Sequence, residues 1–394
     1  MKIALIHESP YTPGKWRRFD LLYKYLKEHG RQVKIIAFSD SEPRIDDLIN
    51  IQLPPLHRMI GTFFYFLTLR YLSNPVRLFK CCLELRRIRP DVILFHYYDL
   101  GLFLISFRFL FKQSILVYDL NDLNIRMRYY KKDKKLLFRI FAWIEEVFIP
   151  KKVDKVITPT DFGKKYLIDK GITPEKIFVL NELVDRGSFY DGEAQRSRLT
   201  SFINPKREKI VIWHGVIRHY QVDAIVTIMK GMSLAQKEIQ NLKLLIAGPI
   251  EDMSSKEKLF SLANQLKISV KFTGRVPASQ IPSILNSAHI GVQALPNELF
   301  LRYINGVKLA EYICAGLPVL CSNLEGPAEL VRGNGFLFKP NDSEDLADKL
   351  LKILRSDYQQ LIESSNRIAE EEFSEKAIRR KIREMERFLK WSVT

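Results

Sequence analysis

Short apolar runs alternate with longer stretches of helical periodicity along the whole chain. This is the pattern of a parallel α/β architecture, in which strands covered on both faces are linked by crossover helices. In the first half, strands are predicted at Ile3–Ile6, Val33–Ala37, Val92–Phe95, Ile115–Tyr118, Lys155–Thr158 and Ile177–Leu180, with helices that include Trp16–His29 and Asp161–Lys170. Between Arg186 and Arg207 the alternation lapses into polar residues with Gly187, Gly192 and Pro205, which marks a linker. It then restarts with strands at Ile210–Trp213, Leu244–Ala247, Val270–Thr273, Ile290–Ala294 and Val319–Ser322. Helices are predicted at Asp223–Met232, Lys256–Leu266, Lys308–Ala315 and Asp345–Leu354. The last stretch, Lys376–Trp391, sets Ile378, Ile382, Met385 and Leu389 on one helical face. The expected organisation is two Rossmann-like, doubly wound domains at 1–190 and 208–372, a linker at 191–207, and a helix at 373–394 packing back on the first domain. Such domains bind ligands at the carboxyl ends of their strands, so a cleft between them is the expected active site.

Composition agrees with this division. A chain of 394 residues exceeds one ordinary domain, and 46% hydrophobic with 27% charged content describes a globular protein. Met1-Lys2 leads directly into an apolar run that reads as a core strand and not as a leader. The apolar stretch Met59–Leu69 falls short of the ~20 residues of a spanning helix. Cys81, Cys82, Cys314 and Cys321 show no CxxC or Cys/His cluster, so neither zinc nor a disulfide framework is expected, and a reducing, cytoplasmic setting is.

Charge changes the picture more. A net charge of +17 asks for an anionic partner. Much of it falls in segment 126–155, where Arg126, Arg128, Lys131, Lys132, Lys134, Lys135, Arg139, Lys151, Lys152 and Lys155 are interleaved with Phe138, Ile140, Phe141, Trp143, Ile144 and Phe148. His57–Pro90 has the same character. Two readings fit: an interfacial helix on an anionic membrane, or an amphipathic helix with its aromatics in the core. No helix-turn-helix, zinc-finger or RNP-type motif points to nucleic acid.

The candidate chemistry lies in Leu301–Ser322, LRYINGVKLAEYICAGLPVLCS. A loop ending at Asn305-Gly306 opens a short helix whose N–H groups and dipole make a site for a diphosphate. Lys308 in the first turn adds a cation, and Glu311, one turn on along the same face, is placed to accept from ribose hydroxyls. Gly316 and Pro318 end the helix. The same residues also describe a surface helix with an i,i+3 ion pair and a glycine stop.

These residues resemble the donor motif of glycosyltransferase family 4, a retaining GT-B family, through Glu311, Gly316, Pro318 and Val319. They are similar to the branch with a Lys-Leu-x-Glu-Tyr lead-in, whose arginine and asparagine fall at Arg302 and Asn305. WHGVI (Trp213–Ile217), LLIAGP (Leu244–Pro249), VKFTGRV (Val270–Val276), GPAELV (Gly326–Val331), NGFLF (Asn334–Phe338), VDKVITPTDFGKKYL and KIFVLNELVD resemble further family segments in the same order. The resemblance implies a GT-B fold, with an acceptor-binding first domain and a nucleotide-sugar-binding second domain. It implies transfer from a nucleoside-diphosphate sugar to a hydroxyl with retained configuration, and no metal or cofactor. The candidate catalytic set is Lys308, Arg302 and Arg218 on the diphosphate, with Asp119 and His96, beside His7 and Asp122, at first-domain strand ends; these last four either orient the sugar or acceptor or are ordinary loop polar residues. Glu311, Lys308, Asn305, Gly215, Arg275, Val276 and Gly14 are the implied donor-binding positions.

Departures accompany the resemblance. Tyr303 stands where many members have a second glutamate. Val216 and Gln221 replace the usual arginine and lysine after the glycine, with Arg218 and His219 close by, and Asn121 stands where histidine is common. They motivate a second reading, a GT-B-fold binding or regulatory subunit. A third, a nucleotide-sugar 2-epimerase, lacks its acidic and histidine sets here, and shared fold alone is analogy. Combined with the basic aromatic segment, the resemblance leads us to expect a glycan or lipid-linked acceptor and peripheral association with the inner face of the cell membrane.

Overall fold

The protein is described by a computed structural model over residues 1–7, 17–38, 47–51, 75–130, 136–189 and 208–390. The linker predicted at 191–207 lies outside the described residues. The chain divides into two compact units, Met1–Asn181 with Arg379–Thr394, and Glu182–Ile378.

Among the described residues the first unit holds one parallel sheet. Its strands are β1 (Lys2–His7), β2 (Gln32–Ala37), β3 (Leu48–Asn50), β4 (Val92–Phe95), β5 (Ile115–Asp119), β6 (Lys155–Thr158) and β7 (Ile177–Val179), in the order β3-β2-β1-β4-β5-β6-β7. The second unit holds β8 (Lys209–His214), β9 (Leu242–Ala247), β10 (Val270–Phe272), β11 (Ile290–Gln293), β12 (Val319–Ser322) and β13 (Gly335–Phe338), in the order β10-β9-β8-β11-β12-β13. Both orders reverse beside the unit's first strand, the doubly wound arrangement whose switch point faces a ligand.

The second unit's strands bury both faces, and successive residues feed different cores. Val211 and Trp213 join Leu244 and Ile246 under helices Val222–Ala235 and Ser343–Arg355, whereas Ile210 and Ile212 join Leu245 and Ala247 under helices Val307–Cys314 and Tyr358–Phe373. Period-two alternation therefore persists although Ile210–Trp213 and Leu244–Ala247 are apolar throughout. Two strands escaped prediction: β3 is a three-residue edge strand, and β13 begins on Gly335, where a Cβ would come 1.8 Å from the Val319 carbonyl oxygen. Helix Tyr358–Phe373 was also unpredicted.

Helix Glu375–Lys390 buries Ile378, Ile382, Met385 and Leu389, the four residues placed on one face by their spacing. Within the first unit Phe388 packs against Phe178 with ring centroids 5.3 Å apart, and Glu386 pairs with Arg31 and, at 3.0 Å, with His29 Nδ1.

Between β5 and β6, helix Leu136–Trp143, a π-turn at Ile144–Phe148 and helix Ile149–Lys152 follow without a break. Phe138 and Ala142 turn into the core, while Leu136, 73% exposed, Leu137, Ile140 and Trp143 face solvent. Of the segment's aromatics, Phe138 thus packs in the core as an amphipathic helix requires, and Trp143 does not. The π-turn brings two consecutive carboxylates inside. Glu146 accepts from Arg126 Nε at 2.6 Å, from Arg126 Nη2 at 2.8 Å and from the Tyr166 hydroxyl. Glu145 Oε2 accepts the Ile125 N–H at 3.0 Å, while its Oε1 is buried with no hydrogen-bond partner. Burial, reinforced by Glu146 and Asp122, pushes the Glu145 carboxyl up to about 8 against the Ile125 N–H and Arg128.

A carboxyl raised in the folded state binds a proton that the unfolded chain has released. Stability therefore falls as pH rises from about 4.3 to about 8, by up to about 1.4 kcal/mol per pH unit. Glu145→Gln keeps an acceptor oxygen and does not ionise. Its melting temperature should gain on the wild type steadily between pH 5 and pH 8, and a pH-independent difference would contradict this account.

Candidate active site

At the carboxyl edge of the second unit's sheet, β8 and β11 pair at Val211–Ile290 and Ile212–Gly291 and then part. The Tyr312 hydroxyl spans the gap, accepting the His214 N–H at 3.1 Å and donating to the Val292 carbonyl at 3.4 Å. The ring fits because Gly291 has no side chain: a Cβ there would lie 2.3 Å from Tyr312 Cγ. The His214 ring stands edge-on to Tyr312 at 5.1 Å, and its Nε2 comes within 3.0 Å of Glu311 Oε2. Both side chains are buried, with residue exposures of 5% for His214 and 3% for Glu311.

Helix Val307–Cys314 starts at this gap because Gly306 takes φ +85°, a left-handed conformation that favours glycine, and because a Cβ at Gly306 would meet Gln293 Nε2 at 2.4 Å. No side chain caps this terminus, and uncapped helix N-termini are ready-made sites for anions. Lys308, half-buried, lies across Gly215, with its Nζ 5.1 Å from the Trp213 ring centroid. Gly215 is left-handed at φ +129°, and a Cβ there would sit 2.3 Å from Lys308 Cε. Burial, then the charge of Arg218, lowers the Lys308 ammonium to about 8. Gly248 at φ +146° stacks directly on this turn, where a Cβ would come 1.9 Å from the Gly215 carbonyl oxygen.

The other predicted donor-side residues are placed differently. Arg218 Nε donates to Glu251 at 3.1 Å, and Gln221 Oε1 accepts the Arg218 N–H at 3.1 Å, so Gln221 braces the loop. Arg302 forks onto Glu325, with its Nε at 2.8 Å. Asn305 is fully buried and donates to the Gly326 carbonyl at 3.0 Å and to Glu329 at 3.3 Å, an internal clamp on the loop. Tyr303 is fully buried. Arg275 is exposed beyond β10, and Val276 packs against the core. Gly14 lies outside the described residues.

In the first unit, His7 ends β1 and His96 follows β4, the two strands at the switch point. The Tyr97 ring lies edge-on to both, at 6.4 Å and 4.7 Å. His96 Nδ1 is 2.8 Å from the Asp119 carbonyl oxygen, which can only accept; the ring proton is therefore on Nδ1 and Nε2 carries the lone pair. Burial lowers the His96 imidazole, outweighing Asp119, so the neutral ring dominates at pH 7. The Asp119 carboxylate is held by Arg18, Nη2 at 3.1 Å and Nε at 3.3 Å, while Arg18 Nη1 donates to the Leu180 and Asn181 carbonyls at 2.9 Å each. Asp119 thus ties strand ends together. Asp122 is half-buried in the loop after β5. Among the described residues no His, Cys, Asp and Glu cluster could hold a metal ion.

Two family models divide the chain between them: Glycosyltransferase Family 4 over residues 14–187 and Glycosyl transferases group 1 over residues 196–375. Sulfoquinovosyl transferase SQD2 of Arabidopsis thaliana is 22% identical over 97% of this chain and 72% of its own length. The chain is a GT-B glycosyltransferase. Its fold matches that of Anabaena Alr3699/HepE, solved in complex with UDP and glucose, at a TM-score of 0.74 with 18% identity, over 98% of this chain and 99% of that one. A glycosyltransferase from Rickettsia africae gives 0.70 and 17%, over 100% and 99%.

Sequence reading brought Lys308, Glu311 and Gly215 to one place and missed His214, Tyr312 and Gln293 beside them. His214 carried a signal, a histidine at a strand end directly before the glycine. Tyr312 and Gln293 read as ordinary helix and strand residues.

Two outcomes follow for the transferase. Nucleoside-diphosphate affinity, measured calorimetrically from about pH 6.5 to about pH 9.5, should fall as Lys308 loses its charge above about 8 and stay level in Lys308→Arg. A level wild-type profile would remove Lys308 from the anion site. Gly248→Ala should destabilise the protein by about 2 kcal/mol or more in denaturant melts, because both backbone angle and space are wrong.

Proposed function

We propose that the chain is a retaining glycosyltransferase. It moves a sugar from a nucleoside-diphosphate sugar to a hydroxyl of a glycan or lipid-linked acceptor at the cytoplasmic face of the membrane, without a metal. The observation that carries the donor half is Lys308 and Glu311 on one helix at the parting of β8 and β11, with the cation over Gly215 and the carboxylate against His214. Glycosyl transfer through an oxocarbenium-like state is accelerated by stabilising the departing diphosphate. Lys308 and the helix N-terminus take the negative charge, with Arg218 beside them. Arg302 joins by exchanging its Glu325 partner. Glu311 accepts from ribose hydroxyls. His96, with its Nε2 lone pair, and Asp119 belong to the acceptor side. Complexes of HepE with UDP and with UDP-glucose, and a relative named a sulfoquinovosyl transferase, make UDP-sugars the first donors to try.

The exposed face of Leu136, Leu137, Ile140 and Trp143, with exposed Arg139 beside it, supports the membrane half. No described helix is long and apolar enough to cross a membrane, which leaves surface association as the mode proposed. Charge reversal at Lys131, Lys132, Lys134 and Lys135, outside the described residues, should weaken sedimentation with anionic liposomes; no change would count against this half.

A thermal-shift panel of UDP-, GDP-, ADP- and dTDP-sugars tests the donor half. The matching donor at about 100 times its dissociation constant adds about 2.7 kcal/mol of stability, and Glu311→Ala abolishes the gain. No shift with any donor would overturn the assignment. The second reading, a binding or regulatory subunit, is favoured by the Arg302–Glu325 pairing, which engages a cation the reaction needs. A shift without slow donor hydrolysis would select it.

A further inference from the structure

Every large apolar side chain more than a third exposed in the first unit's described residues lies on one side of its sheet. These residues sit on helices Pro75–Ile88, Leu136–Trp143 and Asp161–Asp169 and on the single-turn helix Arg108–Phe111. The topology explains the grouping. The connections β3 to β4, β4 to β5, β5 to β6 and β6 to β7 all move the same way along the sheet, so right-handed crossovers put their helices on the same face. The β1-to-β2 connection moves the opposite way, which puts helix Arg17–Glu28 on the other face. There the carboxyl-terminal helix covers it, through Arg379 on Glu28 at 2.6 Å and over the Tyr25 ring at 5.0 Å.

Ile168 on helix Asp161–Asp169 aside, the apolar face has two separate parts. One is the Leu136–Trp143 helix. The other is a ridge made by Phe79 and Leu83, four residues apart on helix Pro75–Ile88, and by Phe109, 62% exposed. Helix Pro75–Ile88 already buries a full stripe through Leu78, Cys81, Cys82 and Leu85, so Phe79 and Leu83 are surplus to its core. Phe109 ends an aromatic file running from Phe103 to Phe107 at 4.5 Å and on to Phe109 at 6.0 Å. Single exposed apolar residues are normal on any surface; here those among the described residues of the unit collect on one face. Exposed Arg86 and Lys112 flank the ridge as Arg139 flanks the helix, which matches an anionic surface.

We propose that Phe79, Leu83 and Phe109 form a second lipid anchor, seating on the same anionic bilayer surface as helix Leu136–Trp143. This rests on the membrane half of the proposed function and adds that the unit docks flat through two separated contacts. Two linked weak contacts bind far more tightly than either alone, because the second forms within an already tethered molecule. Removing either should therefore release most of the protein.

Co-sedimentation of the full chain with phosphatidylcholine vesicles, with and without phosphatidylglycerol, tests this. Wild type should sediment with the anionic vesicles. The triple variant Phe79→Ser, Leu83→Ser, Phe109→Ser and the double variant Ile140→Ser, Trp143→Ser should each lose about ten-fold or more in partitioning. If wild type fails to sediment, the membrane reading falls, and the anchor with it. If wild type sediments and the triple variant matches it, the anchor alone falls. The anchor also falls if the triple variant only melts earlier, which would make the ridge an internal contact, or if wild type self-associates through the ridge without vesicles. As a readout independent of folding, an environment-sensitive fluorophore on Phe109→Cys should shift to the blue on anionic vesicles, and unchanged emission would also overturn the proposal.

Discussion

One tyrosine hydroxyl organises the carboxyl edge of the second unit's sheet. Where β8 and β11 part, each strand leaves a backbone group without its ladder partner, and a buried peptide group without a hydrogen bond is costly. Tyr312 satisfies both, accepting from His214 and donating to Val292. Its phenol also gains nothing from ionising, since burial raises it well above the usual range. The switch point is thus held open by a neutral group that fixes the helix carrying it. Glu311 precedes Tyr312 and Lys308 lies one turn back, so their positions follow from that anchorage. Gly291 and Gly306 supply the room, one for the ring and the other for the turn into the helix.

Much of the architecture was legible in the chain. Strands β1, β2 and β4 to β12 announced themselves as short apolar runs, and the carboxyl-terminal helix as four residues at helical spacing. What escaped did so for physical reasons. A three-residue edge strand such as β3 has too few positions for a period, and β13 opens with a glycine because its neighbour's backbone is in the way. The site was legible as residue types and less as partnerships. Nothing in the spacing discloses that Asn305 turns inward to Gly326, that Arg302 meets Glu325, or that the charge of Asp119 is matched by Arg18 from 101 residues away in the chain.

Those partnerships sort the polar residues by what they leave available. Asp119 and the Asn305 amide N–H groups are engaged by the protein itself and make it rigid. Lys308 is the opposite case. It is pressed against an aromatic ring and a glycine, near another cation, and its ammonium is lowered accordingly. In the proposed donor site, an anion beside Lys308 would relieve that penalty.

The π-turn at Ile144–Phe148 has a consequence of another kind. It takes up extra chain within an otherwise α-helical run, and each residue of an α-helix advances the azimuth by about 100°. The turn therefore sets the rotational phase of everything before it. Shorten it by one residue, and helix Leu136–Trp143 would roll by roughly that angle, carrying Ile140 and Trp143 out of alignment with solvent and Phe138 out of the core. Which side of the helix meets the outside world is encoded in a chain length, not in a residue type.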